Sequence, residues 1–272
     1  MGNQLIERHF GKIGARVKVG FARQRIYPTY TFTDPTGIDI KSDRNGEFFD
    51  IQKHPDESIS YEVVDLKPEI RHLLLMARRS DRKDKFLCGH DERHWFVCAV
   101  PGSSVSGVDG AMEALQPPEV QNSVERKLKR IKNRFTRKNE AFLRQGEWYF
   151  IPVREIDSLG TSFGILRNEP ITRGNGSKPH ICEEVLRFRG HAVMVSAYEP
   201  AGISIDDYNQ LVRANPEAKR WRWRQMQRDA DVYARGTVRH PDHKTICLNG
   251  WHRVLMNTEN LAPGMEHVTF LD

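Results

Sequence analysis

The 272-residue chain has no apolar run of the roughly 18 residues that a membrane-spanning helix needs, so no membrane partner is expected. Its first residues, Met1 to His9, lack the apolar core of a secretory signal, which makes the cytoplasm the expected location. Cysteine is scarce. Cys88, Cys98, Cys182 and Cys247 form no C-x-x-C pair, which excludes a zinc ribbon and a thioredoxin-type couple. Their apolar or strand-like surroundings predict buried free thiols. The chain has no G-x-x-x-x-G-K-[ST] loop and no G-x-S-x-G elbow, so neither P-loop chemistry nor an elbow-borne serine nucleophile is supported. Internal repeats and low-complexity tracts are also lacking.

What is present describes a globular chain. Hydrophobic residues make up 38% and charged residues 29%. The length suits one large domain or two small ones and suffices to bury a core without staples. The net charge of +6 favours polyanionic partners, because a positive field attracts phosphates at long range.

The pattern predicts an α+β fold, mostly antiparallel β and barrel- or sandwich-like. It has one long basic helix and a short helical pair before a C-terminal β-meander. Strands are expected at Ala15–Phe21, Tyr27–Thr33, Gly37–Ser42, Glu47–Gln52, Ile59–Leu66, Arg71–Arg78, Phe86–Cys88 and His94–Val100. Asn45-Gly46 marks a hairpin tip. The long helix is expected from Ser123 to Leu143, with Val124, Leu128, Ile131, Phe135 and Phe142 on one face. Ser204-Ile205-Asp206-Asp207 reads as a helix cap, and Asn215-Pro216 restarts a helix towards Gln227. Strands at Val232–Arg239, Lys244–Leu248 and Trp251–Asn257 end the chain. A β-rich domain over 1–110, a helical connector over 111–146 and an α+β domain over 147–272 follow; a single domain is the alternative.

Two segments suggest nucleic acid. From Arg126 to Lys138 eight cations occur without an acid, and Lys127, Arg130, Arg134, Arg137 and Lys138 would hold phosphates. Lys219-Arg220-Trp221-Arg222-Trp223-Arg224 interleaves cations with indoles. There Arg220, Trp223 and Arg224 are the candidate base-stacking patch. In a helix, Trp221 and Trp223 would point about 200° apart. The plain alternatives are a solvated helix face and packing anchors.

Histidines cluster in three places. His90 and His94 flank Asp91-Glu92 at a turn. His180 and Glu184 would share a helical face, four apart. His240-Pro241-Asp242-His243, with His252 across a hairpin, offers two imidazoles and a carboxylate to a divalent metal with a position left for water. His240, Asp242, His243 and His252 are therefore the candidate metal residues, although Asp242 also suits an Asx turn. The leading expectation is a protein that binds RNA or single-stranded DNA. A metal-dependent hydrolase or nuclease is the alternative, and an assembly or defence-complex subunit docking an acidic protein partner is a third.

Overall fold

The computed structural model describes residues 2–26, 31–33, 36–55, 58–102, 104–153, 164–173, 177–188, 190–228 and 230–263. Helix α1 (Gly2–Lys12) opens the chain; Ile6 and Phe10 lie on its buried face, and Ile13 follows beneath the same core. The spacing i, i+4, i+7 explains why that face is covered. Strand β1 (Val17–Phe21) follows, then the short pair β2 (Gln24–Ile26) and β3 (Thr31–Thr33). Tyr27 to Tyr30 of the expected Tyr27–Thr33 strand lie outside the described residues. Strands β4 (Gly37–Asp43) and β5 (Gly46–Lys53) form the Asn-Gly hairpin. Gly46 sits at φ +97°, and Asp43 accepts the Asn45 N–H at 2.9 Å. Strand β5 is central, parallel to β1 and antiparallel to β4.

Strands β6 (Ser60–Lys67), β7 (His72–Arg78), β8 (Lys83–Asp91) and β9 (His94–Ala99) form a four-stranded antiparallel meander. The continuous apolar run of β7 is buried on both faces. Leu73, Leu75 and Ala77 pack with Ile38, Phe49 and Trp95, while Leu74 packs with Val108, Ala111 and Leu115 of the helix α2 region (α2, Val108–Ala114). A strand covered on both sides loses the usual alternation.

Helix α3 (Pro118–Lys127) leads into the second half. There β10 (Leu143–Gln145), β11 (Trp148–Pro152), β12 (Leu166–Ile171), β13 (His180–Phe188), β17 (Asp231–Arg239) and β18 (Ile246–Met256) make a six-stranded antiparallel sheet in the order β10-β11-β18-β17-β13-β12. A small lobe holds β14 (His191–Val195), β15 (Ile203–Ser204), helix α4 (Ile205–Ala214), a 3-10 turn at Pro216–Arg220 and β16 (Arg224–Arg228). The Ser204 cap is seen: its Oγ accepts the Asp207 N–H at 3.0 Å. Mixed α+β with mostly antiparallel sheets is thus the architecture, and the described residues close no barrel.

Several expected elements differ. The long basic helix stops at Lys127, and a single 3-10 turn, Leu128–Arg130, follows before Ile131 becomes extended. Acid-free like charges disfavour continuation there. Asn133 and Asn139 also supply competing turns: Oδ1 of Asn133 accepts the Phe135 N–H, and Oδ1 of Asn139 accepts those of Ala141 and Phe142. The helix expected through Gln227 is only a five-residue 3-10 turn followed by β16. His180–Glu184 lies in β13, not on a helix. The last two expected strands are one, β18, which pairs with β17 as a hairpin in place of three strands.

The Phe49 ring is fully buried, edge-on to Phe10 at 4.9 Å and to Trp95 at 5.6 Å. Phe49→Ala is expected to lower unfolding free energy by about 3–5 kcal/mol in urea titrations, and a negligible loss would contradict this packing. Cys88 and Cys182 are buried, Cys98 is half-buried and Cys247 is exposed, the last a departure from the sequence expectation. Burial pushes the Cys182 thiol up to about 12 and the Cys88 thiol upward too. Under native conditions at mildly alkaline pH, alkylation followed by peptide mapping should modify Cys247 and spare Cys88 and Cys182.

Candidate metal centre

One end of the six-stranded sheet gathers three histidines. Strands β13 and β17 pair antiparallel with Ile181 opposite Arg239. The next rung sets His180, the first residue of β13, against His240, the residue after β17. The His240–His243 turn then brings the third ring back over the first two. Ring centroids are 4.2 Å apart for His180–His240, 4.6 Å for His240–His243 and 5.6 Å for His180–His243, with interplanar angles of 24°, 29° and 19°. One ligand atom from each residue lies within 4.8 Å of the others. The residues are only 1%, 7% and 9% exposed.

The β10–β11 hairpin tip, Gln145-Gly146-Glu147, supports this cluster from the side. The Gln145 amide nitrogen donates to the Val238 carbonyl at 3.2 Å and the Lys244 carbonyl at 2.8 Å. Those two acceptors fix the amide orientation, so its oxygen must accept from Nδ1 of His180 at 2.9 Å. Nδ1 of His180 therefore carries the proton in the neutral ring, and Nε2 presents a lone pair. That lone pair faces Oε2 of Glu147 at 3.4 Å. Oε2 of Glu147 is itself buried without a hydrogen-bond donor, as are Nε2 of His240 and both ring nitrogens of His243. Gly146 adopts φ +57°, and a Cβ there would meet Nε2 of His243 at 2.8 Å and Cε1 of His180 at 3.3 Å. Only glycine both turns this hairpin and lets the rings approach.

The surrounding charges are paired. Asp242 accepts from Lys178 at 2.6 Å, Glu92 accepts the Lys244 N–H, and Asp91 pairs with Arg144 at 3.1 Å. These contacts link the β8–β9 turn, where Glu92 is left-handed at φ +51°, to the second half of the chain. Between the two parts lies a cavity of about 220 Å³, lined by His94, Trp95 and Phe142 and reaching Gly146, Glu147 and His243. His94 of the first histidine region thus lines the cavity that reaches His243, while His180 joins His240 and His243 in the cluster.

Burial lowers the pKa of His243 to about 4, helped by His240 and His180, and burial likewise lowers that of His240, so both are neutral at pH 7. Burial pushes the Glu147 carboxyl upward and the field of Arg173 opposes it; a hydrogen bond from His180 holds it below its ordinary value only when Nε2 also carries a proton.

Of the four expected metal residues, His240 and His243 belong to the cluster. Asp242 is engaged by Lys178. His252 sits mid-strand, opposite Ala234, with Nδ1 hydrogen-bonded to the Gly250 carbonyl at 2.9 Å. His240 lies six positions beyond Ala234, about 20 Å along a strand. The expected His180–Glu184 pair is not formed, since the Glu184 carboxylate meets Arg235 and Arg167. Gln145 and Glu147 were not singled out, since a hairpin tip in sequence gives no sign of what it packs against.

The expected phosphate contacts are spread out. Lys127 donates to the Glu140 carbonyl at 2.6 Å, Arg134 pairs with Glu113 at 2.8 Å, and Arg137 pairs with Asp91 and Glu92. Arg130 and Lys138 are exposed, the latter bridging Leu143. Arg220 pairs with Glu217 at 3.1 Å, Arg224 is exposed, and Trp223 Nε1 donates to the Ala218 carbonyl at 2.7 Å.

Gly146→Ala should lower stability by about 1–3 kcal/mol in thermal or chemical denaturation, through strain and the clash with His243. An unchanged midpoint would contradict the close approach. The chain matches no family model, and the comparisons with curated proteins and with solved structures give no match either.

Proposed function

We propose that this protein is a divalent-metal-dependent hydrolase whose ion is held by His180, His240 and His243. The observation that carries the reading is the set of buried, donorless atoms facing one another: Nε2 of His180 and Oε2 of Glu147, with the ring nitrogens of His240 and His243 beside them. Buried polar atoms without partners cost about 1–3 kcal/mol each. A proton on His180 would satisfy only its contact with Glu147. A cation shared by three imidazoles satisfies one nitrogen of each ring and draws the Glu147 carboxylate electrostatically. Three histidines and an open fourth position make a zinc-type catalytic set. Metal–nitrogen bonds of about 2.0–2.1 Å require nitrogens roughly 3.3 Å apart, so loading draws the rings together. For His240 to ligate through Nε2, Nδ1 must carry the proton and give up its 3.2 Å contact with the Asp242 N–H.

A bound ion would lower the pKa of water at the cavity end. Glu147 would take the water proton as the oxygen bonds to the electrophilic atom; the scissile bond breaks, and the proton passes on to the leaving group. The cavity favours a small, weakly charged substrate. Its walls carry five carboxylates, Glu47, Asp91, Glu147, Asp242 and Glu259, against three cations, Arg144, Arg173 and Lys178, beside apolar Phe96, Met112 and Phe142. With the two charges of the ion added, the walls come close to neutral, which suits an uncharged ester or amide bond.

Purified protein should retain close to one equivalent of a divalent metal by elemental analysis and hydrolyse members of an ester and amide panel. His243→Ala is expected to lose the metal. Glu147→Gln should keep it while the rate falls about 10²–10⁴-fold. Metal-free protein with undiminished hydrolysis, or no metal uptake at all, would overturn the reading.

A further inference from the structure

The small lobe over residues 190–228 buries few side chains: among the described residues Val193, Ser196 and Ala218 are buried, and α4 contributes none. Its large rings pack on one another instead, with Tyr198 exposed and Tyr208, Trp221 and Trp223 half-buried. Tyr198 lies 4.6 Å from Trp221, Trp221 lies 6.0 Å from Trp223 at an interplanar angle of 22°, and Trp223 meets Tyr208 edge-on at 5.1 Å. A helix would have sent the two indoles to opposite sides. They share a side because Arg222 between them takes φ +54°, a left-handed conformation uncommon for arginine. The Trp223 N–H, bonded to the Ala218 carbonyl, fixes the row. Tyr198 at its end is 68% exposed, and Met226 on the neighbouring strand is 54% exposed.

The segment that carries the two indoles has charge of one sign, whereas Glu199 and Asp207 lie next to Tyr198 and Tyr208 in sequence. From Lys219 to Arg228 the chain carries Lys219, Arg220, Arg222, Arg224 and Arg228 and no acid. Arg220 pairs with Glu217, and Arg228 donates to the Ala201 and Gly202 carbonyls. Lys219, Arg222 and Arg224 are exposed and make no ion pair among the described residues.

We infer that this lobe is a binding platform for single-stranded nucleic acid, separate from the metal centre. Unpaired bases stack on Tyr198 and Trp221, and Lys219, Arg222 and Arg224 hold the phosphates. Surface rings arranged in a row and flanked by unneutralised cations match the two demands of a single strand, a π face for each base and a positive track for its backbone. An acidic protein would use the cations but would leave the exposed Tyr198 ring and Met226 uncovered. A duplex hides its base faces.

The test is fluorescence anisotropy of a labelled oligothymidylate titrated with the full chain over a salt series. The expected result is saturable binding that weakens with salt and prefers the single strand to a duplex of equal length. Tyr198→Ala with Trp221→Ala should weaken binding by about tenfold or more. Arg222→Gly, which the left-handed backbone accepts, combined with Arg224→Gln should reduce the slope of log affinity against log salt by roughly 1.4, at 0.7 per lost phosphate contact. His243→Ala should bind as the parent does, which separates this inference from the hydrolase. Absence of saturable binding at low ionic strength, equal affinity for duplex, displacement by polyglutamate as effective as by unlabelled oligonucleotide, or unchanged affinity in both variant pairs would overturn it.

Discussion

The pairing of β13 with β17 in one register is the constraint on which the site depends. Ile181 opposite Arg239 sets His180 against His240, and a slip of one residue would turn His180 to the opposite face of the sheet. Gln145 then ties three pieces of chain together through one side chain: the end of β17 at Val238, the approach to β18 at Lys244, and His180. Removing its amide would leave two carbonyls without donors and free the imidazole to take either tautomer.

Such a polar cluster is costly to bury, and the fold carries it because the apolar packing lies elsewhere. The N-terminal core around Phe49, Leu73 and Trp95 and the sheet core around Val185, Ala234 and Leu248 are both distinct from the histidines. The centre sits where the two parts of the chain meet, held by the Asp91–Arg144 pair and by Glu92 on the Lys244 backbone. Ion pairs across that seam also explain why the cations of residues 126–138 are not one open stripe: Arg134 and Arg137 are drawn to carboxylates of the preceding part.

Local signals carried the strands and caps. The Asn45-Gly46 hairpin, the aliphatic run of β7 and the Ser204 cap all depend on neighbours in sequence, and all appear where their chemistry places them. The His240–His243 turn was legible for the same reason. The third imidazole was not, because His180 joins through a strand register that no local pattern encodes. Glu147 and Gln145 belong to a hairpin tip whose importance arises only from packing. The long helix failed for a physical reason visible in hindsight: apolar spacing persisted, but asparagine turns and unrelieved like charge outweighed it. Trp221 and Trp223 were read against a helix that a single left-handed arginine replaces with a bend.

X-ray absorption at the metal edge of zinc-loaded protein addresses the central claim most directly. The account predicts a first shell containing three imidazole nitrogens at about 2.0–2.1 Å, with the outer-shell scattering that imidazole rings give. A shell of oxygens without imidazole scattering, or one unaltered by replacing His180, would contradict it.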